Sequence, residues 1–232
     1  MNNELILVAE DEREISEIIT TYLERAGFRT VSASDGEVAY AHFQHFRPSL
    51  VLLDVRMPKQ DGIDVLRKIR RHSDTPVIMV TAMAEDIEKI SALRLGADDY
   101  VAKPFNALEV VERVKAVLRR VAPGADLSAR PMTVGPLIVD GNTHAVFVTA
   151  GNERAPVALT QTEYAIVAYM ARSPQRAFSR SELVDGCMPE GEVLERTIDS
   201  HVSNARRKLE SAGVQGFLQT VRGVGYRLEP LS

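Results

Sequence analysis

The chain has 232 residues, 45% of them hydrophobic, and carries 28 Lys and Arg against 32 Asp and Glu for a net charge of −4. That length and apolar content suit two compact domains, each able to bury its own core. The single cysteine, Cys187, excludes an intramolecular disulfide framework, and neither a membrane-length apolar run nor a signal-peptide pattern at Met1-Asn-Asn-Glu-Leu is present, so the expected setting is a reducing cytoplasm with no membrane partner.

Over residues 1–121 apolar strands alternate with amphipathic stretches, the pattern of a flavodoxin-like, doubly wound α/β domain with a five-stranded parallel sheet. Strands are predicted near Leu5–Ala9, Thr30–Ala33, Leu50–Asp54, Val77–Thr81 and Asp99–Ala102. Helices are predicted near Ile15–Ala26, Gly36–Phe46, Gly62–Arg71, Asp86–Leu95 and Ala107–Arg120, with Gly27 and Gly96 as stops and Asn106 as an N-cap. Residues 122–132 are small and polar and include Pro123 and Pro131, as expected of a linker. From 133 to 232 the period shortens: Leu137–Val139, Ala145–Val148 and Val157–Leu159 alternate and are divided by Asp140-Gly-Asn and Ala150-Gly-Asn, which are hairpin signals. Helical stretches Thr162–Ala171, Ser181–Asp185 and Glu195–Ser211 follow, and a hairpin about Gly223-Val-Gly225 closes the chain. That order describes an α+β winged helix-turn-helix domain.

Asp54 closes the most apolar strand, Glu10 and Asp11 follow the first, Thr81 ends the fourth and Lys103 follows the fifth. Open α/β sheets bind ligands at the carboxyl ends of their strands, so these groups are expected on one rim. Each alone has an ordinary reading as a cap, a loop acid or a turn residue; together they suit a divalent metal and a phosphoryl group. Mg²⁺ prefers a few hard oxygen ligands and keeps some of its waters. Asp11 and Asp54 can supply direct ligands and Glu10 a direct or water-mediated one. Asp54 would attack phosphorus, Lys103 would pair with a phosphoryl oxygen, Thr81 would donate a hydrogen bond to the phosphoryl group, and Tyr100 would follow into the space released.

Residues 195–228 hold six Lys/Arg against three Asp/Glu, a basic patch on an acidic chain. In Glu195–Glu210 the residues Ile198, Val202, Ala205 and Leu209 form one apolar stripe. The remaining face presents Arg196, Thr197, Ser200, Ser203, Asn204 and Arg207, side chains suited to base edges and phosphates in the major groove of double-stranded DNA. Arg222 places a cation at the hairpin tip, suited to phosphates or the minor groove.

Glu10-Asp11, Asp54, Thr81-Ala82 and Lys103-Pro104 resemble the acidic pair, phosphoacceptor, switch hydroxyl and lysine of response-regulator receiver domains in two-component signalling. Glu195-Arg-Thr-Ile-Asp-Ser-His-Val and Thr220-Val-Arg-Gly-Val-Gly-Tyr-Arg227 resemble the effector domain of the OmpR/PhoB family, so the likeness covers nearly everything but the linker. It implies a transcription regulator rather than an enzyme, with the Arg56 backbone carbonyl as a metal ligand, a cis Lys103-Pro104 bond, phosphate from a separate sensor histidine kinase, and promoter DNA as target. It also implies an activation homodimer through the helix at 86–95, the fifth strand and the last helix of the first domain. Lys89 with Glu109, Asp99 with Arg113 and Asp98 with Arg120 would be its ion pairs, and Ile90, Leu93 and Val111 its apolar patch. The loop at 186–192, which faces RNA polymerase in the family, lacks the bulky aromatic often found there. Residues 83–89 and 187–197 are similar to the AdeR/BaeR-type branch, which governs multidrug efflux and envelope-stress operons. Two alternatives stay open from the residues: an enzyme that turns over an aspartyl phosphate, and a constitutive DNA-binding regulator that ignores phosphate.

Overall fold

The computed structural model describes residues 4–81, 95–121, 131–150, 153–188 and 195–229. Contacts divide the chain into two compact units, Met1–Leu118 and Arg119–Ser232. The predicted helix at 86–95 and most of the linker lie outside the described residues.

In the first unit, β1 (Leu5–Ala9), β2 (Arg29–Ala33), β3 (Leu50–Asp54), β4 (Val77–Thr81) and β5 (Asp99–Ala102) form a parallel sheet in the order β2-β1-β3-β4-β5. Side chains alternate between the two faces of a strand, and here the alternation divides the apolar residues between two cores. Leu7, Val51, Leu53, Val77 and Met79 pack with Phe43 of α2 (Gly36–Phe46) and with Val65, Leu66 and Ile69 of α3 (Gly62–Arg70). Ile6, Val8, Leu50, Leu52 and Ile78 pack with Ile19 and Leu23 of α1 (Arg13–Arg25) and with Val110, Val114 and Val117 of α4 (Ala107–Val121). Both faces are covered, which is why the central strands read as unbroken apolar runs. Strand order reverses between β1 and β3, and the chain leaves both strands at the same rim.

Two glycines fix the loop that follows β3. A methyl group on Gly62 would stand 1.9 Å from the Asp54 carbonyl oxygen, and one on Gly36 would stand 2.0 Å from that of Gln60. The Asp35 side chain caps α2 through the Val38 N–H and holds the Lys59 ammonium at 2.7 Å, so the loop is tied to the start of α2.

The second unit opens with a sheet of β6 (Met132–Val134), β7 (Leu137–Asp140), β8 (Ala145–Ala150) and β9 (Glu153–Val157) in sequence order. Two expectations are corrected here. Met132 pairs with Val139, so the sheet begins inside the expected linker. The strand sought at Val157–Leu159 instead ends at Val157; it includes Pro156, which an edge strand tolerates because one side of it makes no ladder. Then come α5 (Gln161–Ala171), β10 (Phe178–Ser179), α6 (Arg180–Cys187), α7 (Glu195–Ser211), β11 (Leu218–Val221) and β12 (Gly225–Leu228). Capping boxes at Thr160/Glu163 and Ser179/Glu182 start α5 and α6. The two-residue β10, too short to have been predicted, joins the hairpin in the order β10-β12-β11.

Candidate functional site

Glu10, Asp11 and Asp54 meet at the rim where strand order reverses, with one carboxylate oxygen from each lying within 4.8 Å of the others. Glu10 and Asp54 are buried and Asp11 is exposed. The Lys103 ammonium donates to Asp54 Oδ2 at 2.7 Å, to Glu10 Oε1 at 2.8 Å and to Glu12 Oε1 at 3.3 Å. Its placement follows from the sheet: Lys103 N–H donates to the Thr81 carbonyl at 2.7 Å, which carries the β5 ladder one step past the strand, and the Lys103-Pro104 bond is cis. Asp54 Oδ1 accepts from the Arg56 N–H at 3.1 Å. Thr81 is buried at the end of β4, and Tyr100 is partly buried against the core that includes Met79.

The electrostatics of the cluster are those of surplus negative charge. Burial, reinforced by the Asp54 charge, pushes the Glu10 carboxyl up to about 7. Burial opposes the Lys103 charge, but its hydrogen bonds to Asp54 and Glu10 outweigh that and hold the ammonium above its usual range. One ammonium bonds three acids with Asp11 beside them, and Glu10 Oε2 is buried with no hydrogen-bond partner among the described residues. This donor set of hard oxygens and surplus negative charge fits Mg²⁺. Glu12 is the member that sequence reasoning left out; the signal was the unbroken run Glu10-Asp-Glu12, whose third acid reaches the same lysine. A groove of about 480 Å³ opens beside Lys103, lined by Ile15, Ile18, Pro104 and Phe105 together with Glu12.

Among the described residues, several of the expected dimer residues make contacts within the chain. Arg113 bonds Asp99 at 3.1 Å and Glu109 at 2.9 Å within one chain. Asp98 is turned inward, accepting from Arg70 at 2.8 Å and from the Val77 N–H at 3.0 Å, because it lies where α3 and the start of β4 converge. Val111 belongs to the core rather than to a surface patch. Lys89, Ile90 and Leu93 and the side chain of Arg120 lie outside the described residues.

In the second unit Ile198, Val202, Ala205 and Leu209 of α7 are buried as expected. Thr197, Ser200 and Asn204, assigned to the open face, are buried too, at 3%, 4% and 5% exposure. Both α5 and α6 pack against α7, so the covered arc extends past the apolar stripe to its short polar flanks. Ser203 and Arg207 remain exposed, as does Arg222 at the hairpin tip; the Arg196 side chain lies outside the described residues. The basic patch is narrower than its composition suggests. Lys208 bonds the buried Glu163 at 2.7 Å, Arg206 bonds the Leu218 carbonyl at 2.8 Å, and Arg227 pairs with Glu229 at 2.6 Å. In the 186–192 loop, Cys187 and Met188 are buried, and residues 189–192 lie outside the described part.

Comparison with known proteins agrees with both halves. Residues 6–115 match the response regulator receiver domain family, and residues 153–228 match the family of transcriptional regulatory protein C-terminal domains. Over 98% of the chain and 94% of the relative, it is 38% identical to the transcriptional regulatory protein BaeR of Escherichia coli O6:H1. The chain belongs to the OmpR/PhoB family of response regulators. A second member, the phosphate regulon transcriptional regulatory protein PhoB of Pseudomonas aeruginosa, is 38% identical over the full length of both chains. The solved structure of DrrB, a Thermotoga maritima OmpR/PhoB homolog, covers 98% of the chain at 26% identity with a TM-score of 0.50. As an OmpR/PhoB member the protein is a DNA-binding transcriptional regulator of a two-component system, and its acidic cluster is of the kind at which receiver domains hold Mg²⁺. No helix among the described residues is long and apolar enough to cross a membrane.

Proposed function

We propose that Asp54 accepts a phosphoryl group from a sensor histidine kinase and that the resulting acyl phosphate strengthens promoter binding by the winged helix. The observation that carries this reading is the Lys103 ammonium 2.7 Å from Asp54 Oδ2 beside two further acids at the switch point of the sheet. In the reaction a carboxylate oxygen of Asp54 attacks phosphorus, and the bond to the donor histidine nitrogen breaks, its electron pair leaving with the imidazole. Lys103, already held at the site, exchanges one carboxylate contact for a phosphoryl oxygen. Glu10, Asp11, Asp54 and the Arg56 carbonyl would hold Mg²⁺, which when bound supplies positive charge for the phosphoryl oxygens. The apolar groove beside Lys103 offers the donor a surface next to the reacting carboxylate.

Thr81 would donate a hydrogen bond to the new phosphoryl group, with Tyr100 following. The domains are read as 1–121 and 132–232, joined by a linker at 122–131. Dimerisation on activation is proposed through the face that carries the exposed Glu109, which would meet Lys89 of a second copy. Ser203, Arg207 and Arg222, with Arg196, are the proposed DNA contacts, RNA polymerase is the proposed partner of the loop after Met188, and the cytoplasm is the proposed location. Selection of genomic DNA fragments, with Mg²⁺ and a small phosphodonor, tests the reading on wild type against Asp54→Ala. Donor-dependent enrichment of a repeated site in the wild type alone supports it. Equal binding by both would leave a constitutive regulator in its place.

A further inference from the structure

Helix α7 is fastened to the terminal hairpin at two places. Asp199 Oδ1 accepts from the Tyr226 hydroxyl on β12 at 2.6 Å and from Arg180 Nε at the start of α6 at 2.7 Å. The Arg180 guanidinium also stands 5.4 Å from the centre of the Tyr226 ring. Seven residues on, Arg206 Nε donates to the Leu218 carbonyl of β11 at 2.8 Å and its Nη2 to Thr220 Oγ1 at 2.8 Å. Seven residues are about two helical turns, roughly 10 Å along the axis, so both anchors lie on one side of α7. One anchor holds each strand of the hairpin. The hairpin is already paired to β10 through β12; the two anchors, well separated along the helix, add a fixed point on each of its strands.

We infer that Asp199 and Arg206 are positioning residues that form a two-point clamp, setting the wing at a fixed angle and distance from α7 so that Arg222 and the exposed Ser203 and Arg207 engage one duplex together. The inference rests on the DNA-binding reading above and deepens it, because it assigns a role to Arg206, a cation that composition alone would count toward the basic patch. The tip geometry is consistent with a rigid wing. Gly223 has φ +74°, Gly225 has φ +155°, and a methyl group on Gly225 would stand 2.0 Å from the Phe178 carbonyl oxygen.

A double-mutant cycle in the full-length protein on a selected DNA fragment tests the clamp, with thermal melting recorded for every variant. Tyr226→Phe removes only the hydroxyl at the first anchor, and Arg206→Lys keeps the charge but loses the forked contact at the second. Arg222→Ala reports on the wing and Arg207→Ala on the helix; in the wild-type background each is expected to weaken binding about tenfold. In the Tyr226→Phe/Arg206→Lys background Arg222→Ala should weaken it less than about threefold, while Arg207→Ala keeps its full effect. Additive effects of Arg222→Ala in both backgrounds, or a loss of affinity that simply tracks melting temperature, would overturn the clamp. If the double background does not fold, the same comparison in Arg206→Lys alone decides. Failure of the wild-type chain to select any DNA would instead remove the reading on which the clamp rests.

Discussion

At Lys103 one ammonium meets three carboxylates, two of them buried, and both its chemistry and its replacement follow from that. Asp54→Asn keeps the shape of the site but removes the nucleophile; labelled phosphodonor should leave no acyl phosphate on the variant, while its melting stays close to that of the wild type. Lys103→Met removes the only cation that the described residues place among these acids, and the initial rate of labelling should fall by on the order of 10²-fold. Gly62 is a position of close approach: its missing side chain leaves room for the Asp54 carbonyl, and Gly62→Ala must move the loop that carries Arg56. Chemical denaturation of Gly62→Ala should show a loss of about 1–3 kcal/mol, with labelling of Asp54 slowed as well.

The elements of the first unit were legible because their apolar residues follow the periods of strand and helix without interruption. The β3 run Leu-Val-Leu-Leu-Asp has no polar residue before its last position, and the site acids could be placed by strand ends alone. What the period could not convey is how far a neighbour reaches over the edge of a stripe. Thr197, Ser200 and Asn204 look open on a helical wheel, yet packing by two helices covers them. In the same way, Asp98 looks like a surface acid until Arg70, 28 residues earlier in the chain, is brought beside it. The two-residue β10 carries too little local signal to be read at all, and the Pro-containing β9 carries too little to be placed correctly. The packing also separates two kinds of cation on α7. Arg207→Ala should lower the slope of log affinity against log salt by about 1. Lys208→Met takes the ammonium from the fully buried Glu163; denaturant titration should show a stability loss of about 3 kcal/mol, with the slope unchanged.

At the scale of the whole molecule, the two units have separate cores, and the acidic cluster belongs to the first of them. Mg²⁺ bound at the Glu10/Asp11/Asp54 cluster should stabilise the first unit by about 2.7 kcal/mol at a concentration one hundred times its dissociation constant. Calorimetry should therefore show one transition rising with Mg²⁺ and one that does not move; a Mg²⁺-insensitive first transition would argue against the cluster as a metal site. The narrow exposed arc of α7 bears on how such a regulator can diverge. Because Thr197, Ser200 and Asn204 are packed inside while Ser203, Arg207 and Arg222 are open, operator preference can drift through a few surface positions without cost to folding. A duplicated copy of this gene could thus acquire new target sequences by substitutions at 203, 207 and 222 while the buried flank of α7 stays under selection for packing.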